Sequence, residues 1–150
     1  MEKHIETQIG FFDALGMMTC LALRSPYHRE WTLADIETNF LPALMKNQYK
    51  IYFDHNEHPK AFITWARVDD ATHHGLIENG ITPNANKWSS GHHLWFIDLV
   101  APFGDAFKVV RDMQKNHFPN IHCHSIRRNL DGSIRRRSKW FSIVLDKEKL

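Results

Sequence analysis

From Leu94 to Val100 the chain reads Leu-Trp-Phe-Ile-Asp-Leu-Val, a strand-length run in which Asp98 is the one polar residue. A continuous apolar run without alternation suits a central strand covered on both faces, so the fold must contain a sheet with layers packed against it. An ionised carboxylate inside such a run is costly unless it is paired. A histidine is the natural partner, and His28 stands in a polar, proline-stiffened turn, Ser25-Pro26-Tyr27-His28-Arg29-Glu30-Trp31. A histidine held by a carboxylate is the usual form of a general base.

The chain of 150 residues fits one domain, spanning 1–150, with no repeat, low-complexity tract or linker to divide it. A hydrophobic content of 43% with ten Phe and five Trp argues against disorder, and a mean hydropathy of −0.44 argues against a membrane protein. Formal net charge is only +2, yet Arg127, Arg128, Arg135, Arg136, Arg137 and Lys139 crowd the last quarter. The two cysteines, Cys20 and Cys123, lack any metal-like or framework spacing, which suits a reducing compartment. The apolar stretch from Gly16 to Leu23 has no basic segment before it and is far shorter than a membrane span, so the expected location is the cytoplasm.

Helical and strand patterns alternate along the chain. Ile5, Ile9, Phe12, Leu15, Met18 and Ala22 recur at helical spacing and predict a first helix that closes before Ser25-Pro26. Thr32 followed by Asp35 predicts a capped second helix with Leu33, Ile36, Phe40, Leu41 and Leu44 on its buried stripe, kinked at Pro42. Tyr49 to Phe53 and Ala61 to Val68 predict a hairpin, and Asp69 to Asn79 a short helix stopped by Gly80. Asp105 is placed to cap a third well-patterned helix with Phe107, Val110 and Met113 on one face and Pro119 beyond its end. Residues Ile121 to Arg128 and Ile134 to Val144 flank the turn sequence Asn129-Leu130-Asp131-Gly132-Ser133, a final β-ribbon.

Taken together and in this order, Ser25-Pro-Tyr-His28-Arg-Glu-Trp31, Leu41-Pro42-Ala43 with Asn47-Gln48-Tyr49, and Trp88-Ser-Ser-Gly91 leading into Trp95-Phe-Ile-Asp98 and Ala101-Pro-Phe-Gly-Asp105 resemble the toxin-activating lysine acyltransferases. These are small bacterial cytosolic proteins that activate the pore-forming RTX cytolysins. The resemblance implies an α/β (α+β) fold like that of the Gcn5-related N-acetyltransferases, with a mixed, mostly antiparallel central sheet flanked by helices, and a homodimer. It implies transfer of a fatty acyl chain from acyl carrier protein to internal lysines of an RTX protoxin, with no cofactor beyond the acylated carrier as donor substrate. The family's essential histidine falls on His28, its aspartate on Asp98, and its serine three residues before the histidine on Ser25. Family members often carry a longer tail than the residues following Trp140-Phe141 provide.

The chemistry agrees with those residue types. A lysine amine attacks a thioester only when neutral, and its ordinary pKa of about 10.4 calls for a base. His28 supplies one, with Asp98 accepting from one ring nitrogen while the other takes the lysine proton. His28 as covalent acyl acceptor is the alternative. Ser25, or the backbone after Asp98, could donate to the thioester oxyanion, and a turn hydrogen bond serves Ser25 equally well. Trp31 and Trp95 are candidates to line the acyl path, although the Trp residues and Met17-Met18 fit a core just as well.

The turn before Asp105 lacks the glycine-rich phosphate cradle of coenzyme A enzymes. Pro102 has no N–H, and the acid repels phosphate. Acyl carrier protein is strongly acidic, so Arg127, Arg128, Arg135 and Arg136 offer a complementary contact. His122 and His124, and the pairs His73-His74 and His92-His93, show no fixed ligand set, so no metal is expected. Two other readings stand beside the acyltransferase: an acetyl-coenzyme A-dependent N-acetyltransferase, and a nucleic-acid-binding or adaptor module using the Arg-rich ribbon. The leading reading has no nucleic-acid partner and no membrane span.

Overall fold

A computed structural model describes residues 9–143 and places the apolar run in the middle of a five-stranded sheet. The strands are β1 (Tyr49–Phe53), β2 (Pro59–Val68), β3 (His93–Val100), β4 (Cys123–Arg128) and β5 (Ile134–Trp140), side by side in chain order. Neighbours are antiparallel except β3 and β4, which run parallel. A parallel pair needs a crossover, and helix α5 (Ala106–Asp112) lies within it. Helices α1 (Phe11–Ala22), α2 (Leu33–Asn39) and α3 (Leu41–Met45) precede the sheet, and α4 (Asp70–Asn79) joins β2 to β3. This is the mixed, mostly antiparallel sheet flanked by helices that the sequence predicts, consistent with the Gcn5-related N-acetyltransferase-like fold.

Both faces of β3 are covered. On one face Leu94 and Phe96 pack with Ala61, Ile63, Val109, Val110, Met113 and Cys123, which seats α5. On the other, Val100 and Phe62 meet Met18, Phe40 and Leu44 of the N-terminal helices, and Trp95 meets Leu76 of α4 with Val68 and Trp88. Strict alternation from Leu94 and Phe96 would put Asp98 on the α5 side. The pairing prevents this: Thr64 faces Asp98 but Trp65 faces Phe96, so Ile97 is an extra residue. The bulge reverses the parity of everything after it. Leu99 joins the α5 face, Val100 joins the N-terminal helices, and Asp98 turns toward the turn that carries His28.

Several expected elements shift. Helix α1 buries Ala14, Met18, Leu21 and Ala22, while Phe12 is 83% exposed; Ile5 lies outside the described residues. Thr32 and Asp35 form the full capping box, but the helix ends at Asn39. Pro42 does not kink it; it sits in the first turn of α3, where its missing N–H has no partner to lose. Leu33 points outward, at 85% exposure. Asp105 occupies the position before α5 without a side-chain cap, and Phe107 is exposed while Val109 takes the buried position. Gly80 ends α4 as expected, at φ +66°, with its N–H on the Leu76 carbonyl. Cys20 is exposed and Cys123 buried, both as free thiols.

One polar cluster ties strand β1 to the crossover. Lys50 Nζ and the Tyr52 hydroxyl donate to Asp112 Oδ2 at 2.7 and 2.5 Å, and Asn116 donates to Oδ1 at 2.7 Å. Burial raises the Asp112 pKa, but these hydrogen bonds outweigh it and hold the carboxyl near about 2. A depressed carboxyl pKa contributes stability above its ordinary value of 3.8, lost as pH falls toward 2. Asp112→Asn should therefore destabilise the protein at neutral pH by about 1–3 kcal/mol. In urea titrations that deficit should shrink as pH drops below the ordinary carboxyl range; a pH-independent deficit would contradict the assignment.

Candidate functional site

Helix α1 unwinds into the turn that presents the histidine. The Ser25 N–H closes on the Ala22 carbonyl at 3.0 Å, and the Arg29 N–H on the Ser25 carbonyl at 2.9 Å. This leads into a single 3-10 turn, His28–Glu30, in which the Trp31 N–H reaches the His28 carbonyl at 3.0 Å. The His28 ring is held between Tyr27 and Trp31, with centroids at 5.0 and 4.6 Å. Trp31 in turn packs on Phe40, and Phe40 on Phe62 of β2, so the ring rests on the core.

His28 and Asp98 meet across seventy residues of chain. Nε2 of His28 lies 3.0 Å from Asp98 Oδ1, and both side chains are less than a tenth exposed. The Ser25 Oγ lies 2.7 Å from the other ring nitrogen, Nδ1. With the carboxylate accepting, Nε2 carries the proton, Nδ1 is the acceptor, and the Ser25 hydroxyl donates to it. The three side chains form one chain of hydrogen bonds, Ser25 to His28 to Asp98. Neither ring nitrogen is left open, which the sequence alone did not indicate: Ser25 holds the nitrogen expected to meet the substrate.

Asp98 is built into the sheet at both ends. Its N–H donates to Thr64 Oγ1 at 3.1 Å, and Thr64 is fully buried. Its second carboxylate oxygen, Oδ2, is buried without a hydrogen-bond partner. An orphaned buried acceptor of this kind is costly in an ordinary core and common where a ligand group is expected.

A cleft of about 390 Å³ opens in front of Asp98. Strands β3 and β4 pair only from Leu94–Cys123 to Phe96–Ser125, then separate, and the gap beyond forms the cleft. Trp31, Trp95, Ile97 and Asp98 line it with Leu76, Ile81 and Ile126, whereas Ser25 and His28 stand behind Asp98 and do not. Trp95 is 2% exposed; its Nε1–H donates to His73 Nδ1 at 2.9 Å and its ring stacks on His124. Burial, aided by the neighbouring cations and histidines, pushes the His124 pKa down to about 4. Both tryptophans therefore serve core and cleft at once.

The Arg-rich ribbon divides. Arg128 donates to the Gly80 and Gly132 carbonyls, and Arg137 to the carbonyls of Ile77 and Glu78, so these two neutralise the C-terminal end of α4. Arg128 lines the cleft in this role. Arg127, Arg135 and Arg136 are exposed, with Arg127 and Arg136 cross-strand partners. Only these three of the four expected contacts remain open to an outside partner. Elsewhere, Asp70 comes up beside His92 and His93, an acidic neighbour that their positions in the chain do not reveal.

A mixed, mostly antiparallel five-stranded sheet flanked by helices and splayed between β3 and β4 fits an α/β domain of the N-acetyltransferase-like class. Residues 7–141 match the RTX toxin acyltransferase family, and the chain belongs to that family. It is 33% identical over 141 residues to the RTX-I toxin-activating lysine-acyltransferase ApxIC of Actinobacillus pleuropneumoniae, covering 94% of this chain and 81% of that protein. It is 30% identical over 136 residues to the protein-lysine myristoyltransferase HlyC of Escherichia coli, covering 91% and 79%. The protein-lysine myristoyltransferase RtxC of Kingella kingae is 34% identical over 104 residues, covering 69% and 62%.

The geometry assigns Thr64, a residue with no signal of its own in the sequence, to the support of Asp98. Thr64→Val keeps the shape and removes the acceptor, leaving the Asp98 N–H unsatisfied. It should lower stability by about 1–3 kcal/mol, read as a reduced urea midpoint; an unchanged midpoint would remove this role.

Proposed function

We propose that this chain moves a fatty acyl group from acyl carrier protein to the ε-amino groups of internal lysines in an RTX protoxin and so activates the toxin. The observation that carries the reading is the hydrogen-bonded series Ser25–His28–Asp98, set beside a cleft that Asp98 helps to line, with the second carboxylate oxygen buried and without a partner. Two of the relatives are named protein-lysine myristoyltransferases, so the acyl group proposed is a myristoyl-length chain. Trp31, Trp95, Ile97, Ile81 and Ile126 offer such a chain an apolar wall in a cleft whose other walls, with Asp35, Thr38, Asn39, Asn79 and Thr82, are polar.

The incoming lysine ammonium first gives up one proton to solvent, so that the nucleophile is the neutral amine. His28 Nδ1 acts as the base, with the amine approaching from the Ser25 side of the ring: the amine nitrogen attacks the thioester carbonyl, its proton passes to Nδ1 through the Ser25 hydroxyl, and the C–S bond breaks. The proton on the ring then neutralises the departing carrier thiolate. Asp98 Oδ1 keeps the ring in the required tautomer and stabilises the imidazolium while it lasts. Arg127, Arg135 and Arg136 offer charge to the acidic carrier protein. The cytoplasm, where carrier and unsecreted protoxin meet, and a homodimer belong to the same reading; no helix among the described residues is long and apolar enough to cross a membrane.

The test is reconstitution with an RTX protoxin and acylated carrier protein, with lysine adducts counted by mass spectrometry. His28→Ala and Asp98→Asn should each lower the acylation rate by at least about a hundredfold, as expected for loss of a general base or its orienter, with the fold retained by circular dichroism. Ser25→Ala, which removes one hydrogen bond, should cost about tenfold. Undiminished acylation by folded His28→Ala would overturn the mechanism. Transfer from acetyl-coenzyme A but not from the acylated carrier would overturn the donor.

A further inference from the structure

On the far side of Trp95 from the cleft lies a second polar cluster, which the acyl-transfer reading does not use. Asp70, in the first turn of α4, and His92 and His93, at the entry to β3, place one potential ligand atom each within 4.8 Å of one another. We propose that Asp70, His92 and His93 form a binding site for a divalent transition-metal cation, with zinc as its best-suited occupant.

Two imidazoles and one carboxylate make a donor set for zinc and its neighbours, whereas magnesium and calcium call for oxygen ligands. Tetrahedral coordination at 2.0–2.2 Å needs ligand atoms within about 3.5 Å of one another. His93 Nε2 and Asp70 Oδ1 are already 2.6 Å apart, and the exposed His92 ring has only to swing inward. A cation entering between Asp70 and His93 replaces the proton they share, which the neutral ring retains on Nδ1.

The backbone holds these groups in place. A Cβ on Gly91 would lie 2.4 Å from the Val68 carbonyl oxygen and 2.6 Å from Asp69 Cα, so only glycine lets the loop press against the start of α4. Ser90 and Gly91 donate their N–H groups to the Arg67 carbonyl at 2.8 and 3.2 Å, and Ser90 Oγ accepts from the Asp69 N–H at 3.0 Å. The His93 ring stacks on His73 at 3.9 Å and 9°, and His73, three residues after Asp70 on α4, is itself fixed by Trp95. An adjoining cavity of about 280 Å³, bordered by His73, His92, His93, His122, His124 and Lys139, leaves room for water on the open side of the ion. Three protein ligands with an open position is the pattern of an accessible zinc site rather than a closed structural one.

The experiment is calorimetric titration of zinc chloride into the untagged, chelator-treated full chain near neutral pH, with magnesium chloride as the control metal. One zinc ion per chain should bind and magnesium should not. Asp70→Asn and His92→Ala should each weaken zinc binding by at least about tenfold, while His58→Ala, in the β1–β2 loop, leaves it unchanged. Cobalt(II) bound to the wild-type chain should give the d–d absorption of a nitrogen- and oxygen-ligated ion, lost in the same two variants. No saturable zinc binding, or binding that survives both Asp70→Asn and His92→Ala, overturns the proposal and leaves an Asp70–His93 hydrogen bond only.

Discussion

Everything in the site depends on making a carboxylate tolerable inside a sheet. Asp98 lies on the central strand, less than a tenth exposed, where an uncompensated charge would be among the most destabilising features a core can hold. Three devices compensate it: the extra residue Ile97 turns it from the α5 face, Thr64 takes up its N–H, and His28 binds one of its oxygens. The tryptophan and phenylalanine ladder from Trp31 through Phe40 to Phe62 then fixes the histidine, so the turn that carries His28 and the core are one packed body.

The same economy of groups recurs at the end of α4. The four last carbonyls of a helix need partners from elsewhere, and here Arg137 of the terminal hairpin serves two of them, Ile77 and Glu78, while Arg128 takes the carbonyl of the cap residue Gly80. A basic cluster that looks uniform in the chain is therefore two populations: Arg128 and Arg137 fasten the hairpin to the helix, and Arg127, Arg135 and Arg136 face outward. Linear charge density could not separate them, because what sets Arg128 and Arg137 apart is the nearness of the α4 end, which only the fold supplies.

Much of the architecture was legible because its signals are local. The capping box at Thr32, the αL stop at Gly80, the hairpin around Asp54 to His58 and the apolar strand around Asp98 each follow from residues within one turn or strand of one another. His28 and Asp98 were legible as a pair because a lone acid in an apolar run demands a partner and the family resemblance singled out His28 among the eleven histidines. What escaped was long-range. The bulge at Ile97 exists only in the register between β2 and β3, the support from Thr64 depends on that register, and Asp70 reaches His93 only because Gly91 lets two backbones touch. Phe12, Leu33 and Phe107 fit helical periodicity yet face outward, since a short helix has several apolar stripes and the sheet selects one.

The parting of β3 from β4 has a consequence for how such a site can change. A recess hollowed out by small side chains closes when one of them grows. Here the opening is the distance between two diverging main chains, held on one side by pairing with β2 and on the other by pairing with β5. Side-chain exchange along its walls can alter what the opening prefers to hold while the aperture itself persists. Selectivity and architecture are thereby uncoupled, and Asp98 keeps its place in the sheet while the shape of the acceptable guest drifts.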